Sequence, residues 1–89
     1  MKNKAAVVGK IFGKNIRNAR HTMGKTQLDI TKEYANKYGK RLPVTTLSSY
    51  EDGKKIPNPV TLINIADMYN LSLDYMFGRT DNKSSDLSG

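Results

Sequence analysis

The chain is cut into short pieces by its own stop signals. Gly24, Gly39, Asp52-Gly53, Asn70 and Gly78 are residues that readily enter the left-handed conformation ending a helix. Each follows a segment whose apolar residues recur every three or four positions, and no stretch alternates with the two-residue period of a strand. A chain punctuated in this way can form only short helices joined by tight turns, an all-α fold.

The pieces can be placed. Phe12, Ile16, Ala19 and Met23 at helical spacing predict a first helix over about Lys10–Met23, with Val7 and Val8 as a possible backward extension. Thr26 is a candidate N-cap for a second, running through QLDITKEYANKY to Gly39 with Ile30, Tyr34 and Tyr38 as its apolar stripe. The third is VTTLSSYE (44–51). Asn58 followed by Pro59 opens a fourth, VTLINIADMY, which ends at Asn70. Ser72 caps a fifth, LDYMF, which stops at Gly78. The expected organisation is an N-terminal arm over 1–9, one domain over 10–78 and a polar, Ser-rich disordered tail or linker over 79–89.

Eighty-nine residues bury only about 60–65% of their unfolded surface, enough for one core. With no cysteine, neither a disulfide framework nor a thiolate metal site is available. No apolar run approaches the roughly 18 residues that span a bilayer, and AAVV is too short for a signal-peptide core. The expectation is a cytoplasmic, non-membrane protein. Charge is divided unevenly: residues 1–45 hold eleven Lys/Arg against two acids, a balance of +9, and residues 46–89 hold four against six, a balance of −2, within a net +7. A basic block in a small domain points to a polyanion, and equally to mere solubility.

The third segment narrows the choice. On a helical wheel Leu47 and Tyr50 fall together as a core stripe, Val44, Thr45, Ser48 and Ser49 fall opposite, and Glu51 lies at the edge between them. Short uncharged side chains let a helix backbone approach closely. In a DNA major groove, hydroxyls bond several base edges and a valine packs on a thymine methyl. Lys40, Arg41, Lys54 and Lys55 flank the segment and are placed to meet phosphates. The same face read alone would also serve as an ordinary solvated surface.

The wider pattern supplies more. IFGKNIRNARHTMGKTQ (11–27), followed by TTLSSYEDGKKIPNPVTLINIADMYNLSLDYMFGRT (45–80), resembles the lambda-repressor-like, or xenobiotic-response-element (Cro/C1-type), helix-turn-helix family of transcriptional regulators. The resemblance implies a compact five-helix DNA-binding domain. Thr26 and Gln27 would open the motif's first helix, with Gln27 meeting a phosphate or buttressing the recognition helix. Val44, Thr45 and Ser49 match base-contacting positions, assisted by Ser48, and Lys54 matches a backbone-contacting one. Arg20 and Glu51 match an internal salt bridge tying the first helix to the end of the third. An exposed carboxylate there would oppose the helix dipole, which also favours a partnered Glu51. The family habit implies a palindromic operator, a homodimer at least on DNA, and a repressor.

Three departures from the pattern stand out. ANKYGKRLP (35–43) lengthens the second helix and the turn, which gives Lys40 and Arg41 more weight. Thr31 stands where Ala is usual, and Pro43 where a Ser or Thr cap is usual. The base-facing set lacks Arg, Gln and Asn, the residues suited to bidentate reading of guanine or adenine. Affinity is therefore expected to come largely from phosphates, and preference from thymine contacts, half-site spacing and DNA shape.

Other functions have less behind them. His21 has no carboxylate or thiol at ligand spacing, Asp29 and Glu33 form only a lone acidic pair, and no nucleotide, nucleophile or metal motif is present. No enzyme activity, cofactor or metal is expected. The alternative class is an antitoxin or other protein-binding module that also binds its own promoter, with a protein partner taken by the tail 79–89. Tyr75, Met76 and Phe77 serve either a dimer contact or the core.

Overall fold

The computed structural model describes residues 4–83. Among them five helices follow in order: α1 (Lys4–Thr22), α2 (Gln27–Tyr38), α3 (Val44–Glu51), α4 (Pro59–Tyr69) and α5 (Leu73–Met76). The all-helical, five-helix architecture expected from the stop signals is the one observed.

Local chemistry sets most boundaries. Thr26 Oγ1 accepts the Asp29 amide at 3.0 Å while the Asp29 carboxylate accepts the Thr26 amide at 2.9 Å, a reciprocal cap that starts α2. The Thr26 amide and hydroxyl also hold the Asp29 carboxyl below its usual range. Gly39 (φ +64°) ends α2 in the left-handed conformation. Asn58 accepts the Thr61 amide at 2.9 Å ahead of Pro59, and Asn70 (φ 55°) closes α4. Ser72 caps α5 through the Tyr75 amide at 3.0 Å.

The first helix is longer than its apolar spacing indicates. It begins at Lys4 rather than Lys10, and so takes in Val7, Val8 and the rest of residues 4–9. Two glycines of this helix lie against the end of α3. A Cβ at Gly13 would lie 2.5 Å from the carbonyl oxygens of Tyr50 and Glu51, and one at Gly9 would lie 2.9 Å from that of Gly53. Glycine inside a helix costs roughly 1 kcal/mol against alanine. Here the cost is offset because α1 can lie with its backbone directly on the end of α3.

The core draws on every helix: Phe12, Ile16, Ile30, Leu47, Ile65 and Met76 are fully buried. Phe12 stacks on Phe77 with centroids 5.2 Å apart. Tyr38 donates to the Asn64 carbonyl at 3.0 Å, and the Asn64 amide donates to the Tyr34 hydroxyl at 3.1 Å, joining α2 to α4. Asn15 spans from α1 to the Tyr75 and Met76 carbonyls, at 3.0 and 3.2 Å, at the end of α5. Met76 is thus core, with Phe77 and Tyr75 packed against it. Residues 79–83 of the expected tail turn back on the domain, the Lys83 carbonyl accepting the Ser72 amide at 2.8 Å. The rest of that tail lies outside the described residues.

Gly13→Ala is expected to cost at least about 2–3 kcal/mol, because its methyl group meets two backbone carbonyls that cannot swing aside. A urea melt of the variant against wild type measures this, and an unchanged midpoint would contradict the contact.

Candidate nucleic-acid interface

Helix α3 has little local support. Its N-cap Pro43 makes no side-chain hydrogen bond, no acid stands in its first turn and no base in its last. Eight residues are also too few for a stable isolated helix. Its position is imposed from the other side, where Leu47 and Tyr50 sink into the core and Glu51 is only 3% exposed.

Glu51 collects donors from two helices. Arg20 of α1 grips it in a fork, Nε to Oε2 at 2.7 Å and Nη2 to Oε1 at 2.9 Å. Gln27 of α2 donates Nε2 to Oε1 at 3.0 Å, which turns this side chain inward toward α3. Arg17 adds a longer contact, Nε to Oε1 at 3.4 Å. Burial pushes the Glu51 carboxyl up, but the Arg20, Gln27 and Arg17 contacts outweigh it and hold the group below its ordinary value. The same contact raises Arg20, against a smaller lowering by burial. Arg20 also donates Nη1 to the Lys25 carbonyl at 2.9 Å, which fastens the turn between α1 and α2. Thr31, in the close-packed α2 position, returns its hydroxyl to the Leu28 carbonyl at 2.9 Å.

With one face so held, α3 presents the other outward. Val44 and Thr45 are exposed, and Ser48 and Ser49 are half-buried. Two shallow concavities meet at Val44. One is bounded by the α1–α2 turn and the start of α2, including Lys25, Thr26 and Gln27. The other is bounded by the long connection with Lys40 and Arg41. Leu28 lines both and is 52% exposed. Its register on α2 gave no sequence signal separating it from a core leucine. At the far end of α3, Lys54 and Lys55 are exposed beyond Gly53. A helix with its side chains is about 10–12 Å across, which suits the roughly 12 Å width of a major groove, and basic residues stand at both ends of α3.

Two residues at this edge were given no role by the sequence. Arg17 donates Nη2 to Asp52 Oδ1 at 2.6 Å. Lys25 pairs with Glu33 at 2.6 Å, so both members of the Asp29/Glu33 pair have structural partners, Asp29 in the α2 cap and Glu33 on Lys25. Among the described residues no acid, His or Cys cluster suits a metal ion, and no helix is long and apolar enough to cross a membrane.

The family described as Helix-turn-helix matches residues 16–76, more than half of the chain. A Bacillus subtilis (strain 168) protein named HTH-type transcriptional regulator ImmR is 35% identical over 70 residues, which is 79% of this chain and 50% of that protein. The chain therefore spans about half the length of this curated relative. No solved structure matches.

The depressed Glu51 carboxyl fixes the sign of an acid dependence. Its stabilising contribution is complete above the ordinary carboxyl value of 4.5 and is lost as pH falls below it through the lowered folded value. Glu51→Gln is expected to cost about 3–5 kcal/mol at neutral pH, since it leaves Arg20 buried without a counter-charge. Its stability curve should converge on wild type in acid. Urea melts from pH 7 down to pH 3 measure both, and parallel curves would contradict the pairing.

Proposed function

The chain belongs to the Cro/C1-type helix-turn-helix family, and from that premise we propose that it is a sequence-specific reader of double-stranded DNA that regulates transcription as a repressor. The observation that carries the reading is α3 itself: a helix with no side-chain cap at its start, locked from behind through Leu47, Tyr50 and Glu51, and presenting short polar side chains in front. In this reading Val44, Thr45, Ser48 and Ser49 face base edges. Thr26, Lys40, Arg41, Lys54 and Lys55 take phosphates on either side, while Gln27 divides its amide between Glu51 and the backbone.

A lone valine with hydroxyl neighbours favours thymine methyls over the bidentate guanine contact of an arginine. Sequence preference is correspondingly shallow per base, and a two-fold dimer multiplies it across half-sites about 34 Å apart. Such a regulator acts in the bacterial cytoplasm, on the nucleoid.

Selection from random duplexes, followed by anisotropy on the recovered site, tests this. The expected result is a palindrome rich in A·T under α3, bound roughly 10³-fold or more tighter than random duplex. Val44→Ala/Ser49→Ala should lose most of that ratio while keeping the salt-sensitive background. Recovery of no enriched site, or of one whose binding ignores the double substitution, would overturn the assignment of α3 as the reader.

A further inference from the structure

Arg17 and Arg20 lie one turn apart on α1, and both reach Glu51, but they are committed differently. The Arg20 side chain is 10% exposed. Its Nε, Nη1 and Nη2 are all engaged, on Glu51, on the Lys25 carbonyl and beside His21 Nε2. The Arg17 side chain is 42% exposed and makes two contacts, Nε to Glu51 and Nη2 to Asp52. A guanidinium carries five N–H donors in a rigid fork. Arg17 therefore keeps its Nη1 edge without a protein partner among the described residues.

The position of that edge matters. Asp52 is the C-cap of α3, immediately before Gly53, Lys54 and Lys55. A Cβ on Gly53 would lie 2.9 Å from Lys10 Cα, and Gly13 meets the Tyr50 and Glu51 carbonyls. One face of α1, carrying Lys10, Gly13 and Arg17, thus runs along the exit of α3 and its turn. The exposed acid on this edge is Asp52, and a bare carboxylate beside a DNA strand repels it.

We propose that Arg17 is a DNA-phosphate-binding residue, held ready by Asp52 and Glu51, whose free guanidinium edge takes a phosphate oxygen beside the turn Gly53–Lys55. The inference rests on the DNA-reading function proposed above. Asp52 fixes the fork in orientation, and Arg17 in turn cancels the charge that would push the strand away. This extends the backbone grip of the domain from the motif's two helices onto α1.

A salt titration of four proteins on the selected duplex separates this role from simple neutralisation of Asp52. The proteins are wild type, Arg17→Gln, Asp52→Asn and the double variant, with circular dichroism melts to show that each is folded. Each phosphate contact contributes about 0.9 to the slope of log affinity against log salt. If Arg17 binds phosphate, the double variant has a slope smaller by about 0.9. Between about 50 and 200 mM salt it then loses roughly 3–4-fold less affinity than wild type. Asp52→Asn alone should bind at least as tightly as wild type, and Arg17→Gln alone should be weakest. A double variant matching wild type in affinity and slope would show that Arg17 serves only to neutralise Asp52, which overturns this inference and leaves DNA reading intact. A wild type that binds no duplex at the low salt would overturn both.

Discussion

A carboxylate taken almost entirely out of water must recover its lost hydration from hydrogen bonds, and Glu51 recovers it from Arg20 and Arg17 of α1 and Gln27 of α2. Because Glu51 is the last residue of α3, each of those bonds also fixes the angle at which that helix leaves the core. The arrangement runs against the helix dipole, which disfavours an acid at a C-terminus, so α3 would not hold this residue there unaided. The ion pair is better understood as setting orientation than as adding stability. A buried pair of this kind is weak evidence for net stabilisation against an apolar replacement, while breaking one half of it is costly.

The same division separates what could be read from the chain and what could not. Caps are local, and Thr26, Asn58, Ser72, Gly39 and Asn70 announced α2, α4 and α5 to within a residue or so because the groups they satisfy lie within four positions of them. The end of α1 was legible for the same reason. Its beginning was not. What Gly9 and Gly13 permit appears only when the end of α3 is laid against them, and nothing within either segment shows that contact. The core stripe of Leu47 and Tyr50 followed from periodicity. The burial of Glu51 at the edge of that stripe depends on partners 24 to 34 positions away; the helix dipole argued that it had a partner, and family resemblance named Arg20.

The candidate interface was partly legible by the same logic. Val44, Thr45 and the flanking lysines stand out because their chemistry is unusual for a core and sparse for a solvated helix. Leu28 did not stand out. A leucine one residue after Gln27 looks like core, yet it stands exposed beside Val44 where the two concavities meet. Arg17 was hidden differently: it sits in the stretch that carries the family resemblance, but its commitment to Asp52 appears only once the α1 backbone lies on the turn after α3.

Helices α2 and α4 carry side-chain caps at their starts as well as stops, whereas α3 has its stop at Asp52-Gly53 but no side-chain cap at its start. Nucleation cost makes an eight-residue helix without a side-chain cap at its start unstable on its own, so α3 depends on the rest of the domain to receive Leu47, Tyr50 and Glu51. A helix whose front face is free of structural duty tolerates change there. Val44, Thr45, Ser48 and Ser49 can vary with little effect on the fold, because the contacts that hold α3 lie behind it. Residues behind α3 have no such freedom, since a loss at Arg20 or Gly13 alters the angle of every side chain in front. The separation of the exposed face from the holding face is what lets one small domain keep its architecture while the front of α3 changes.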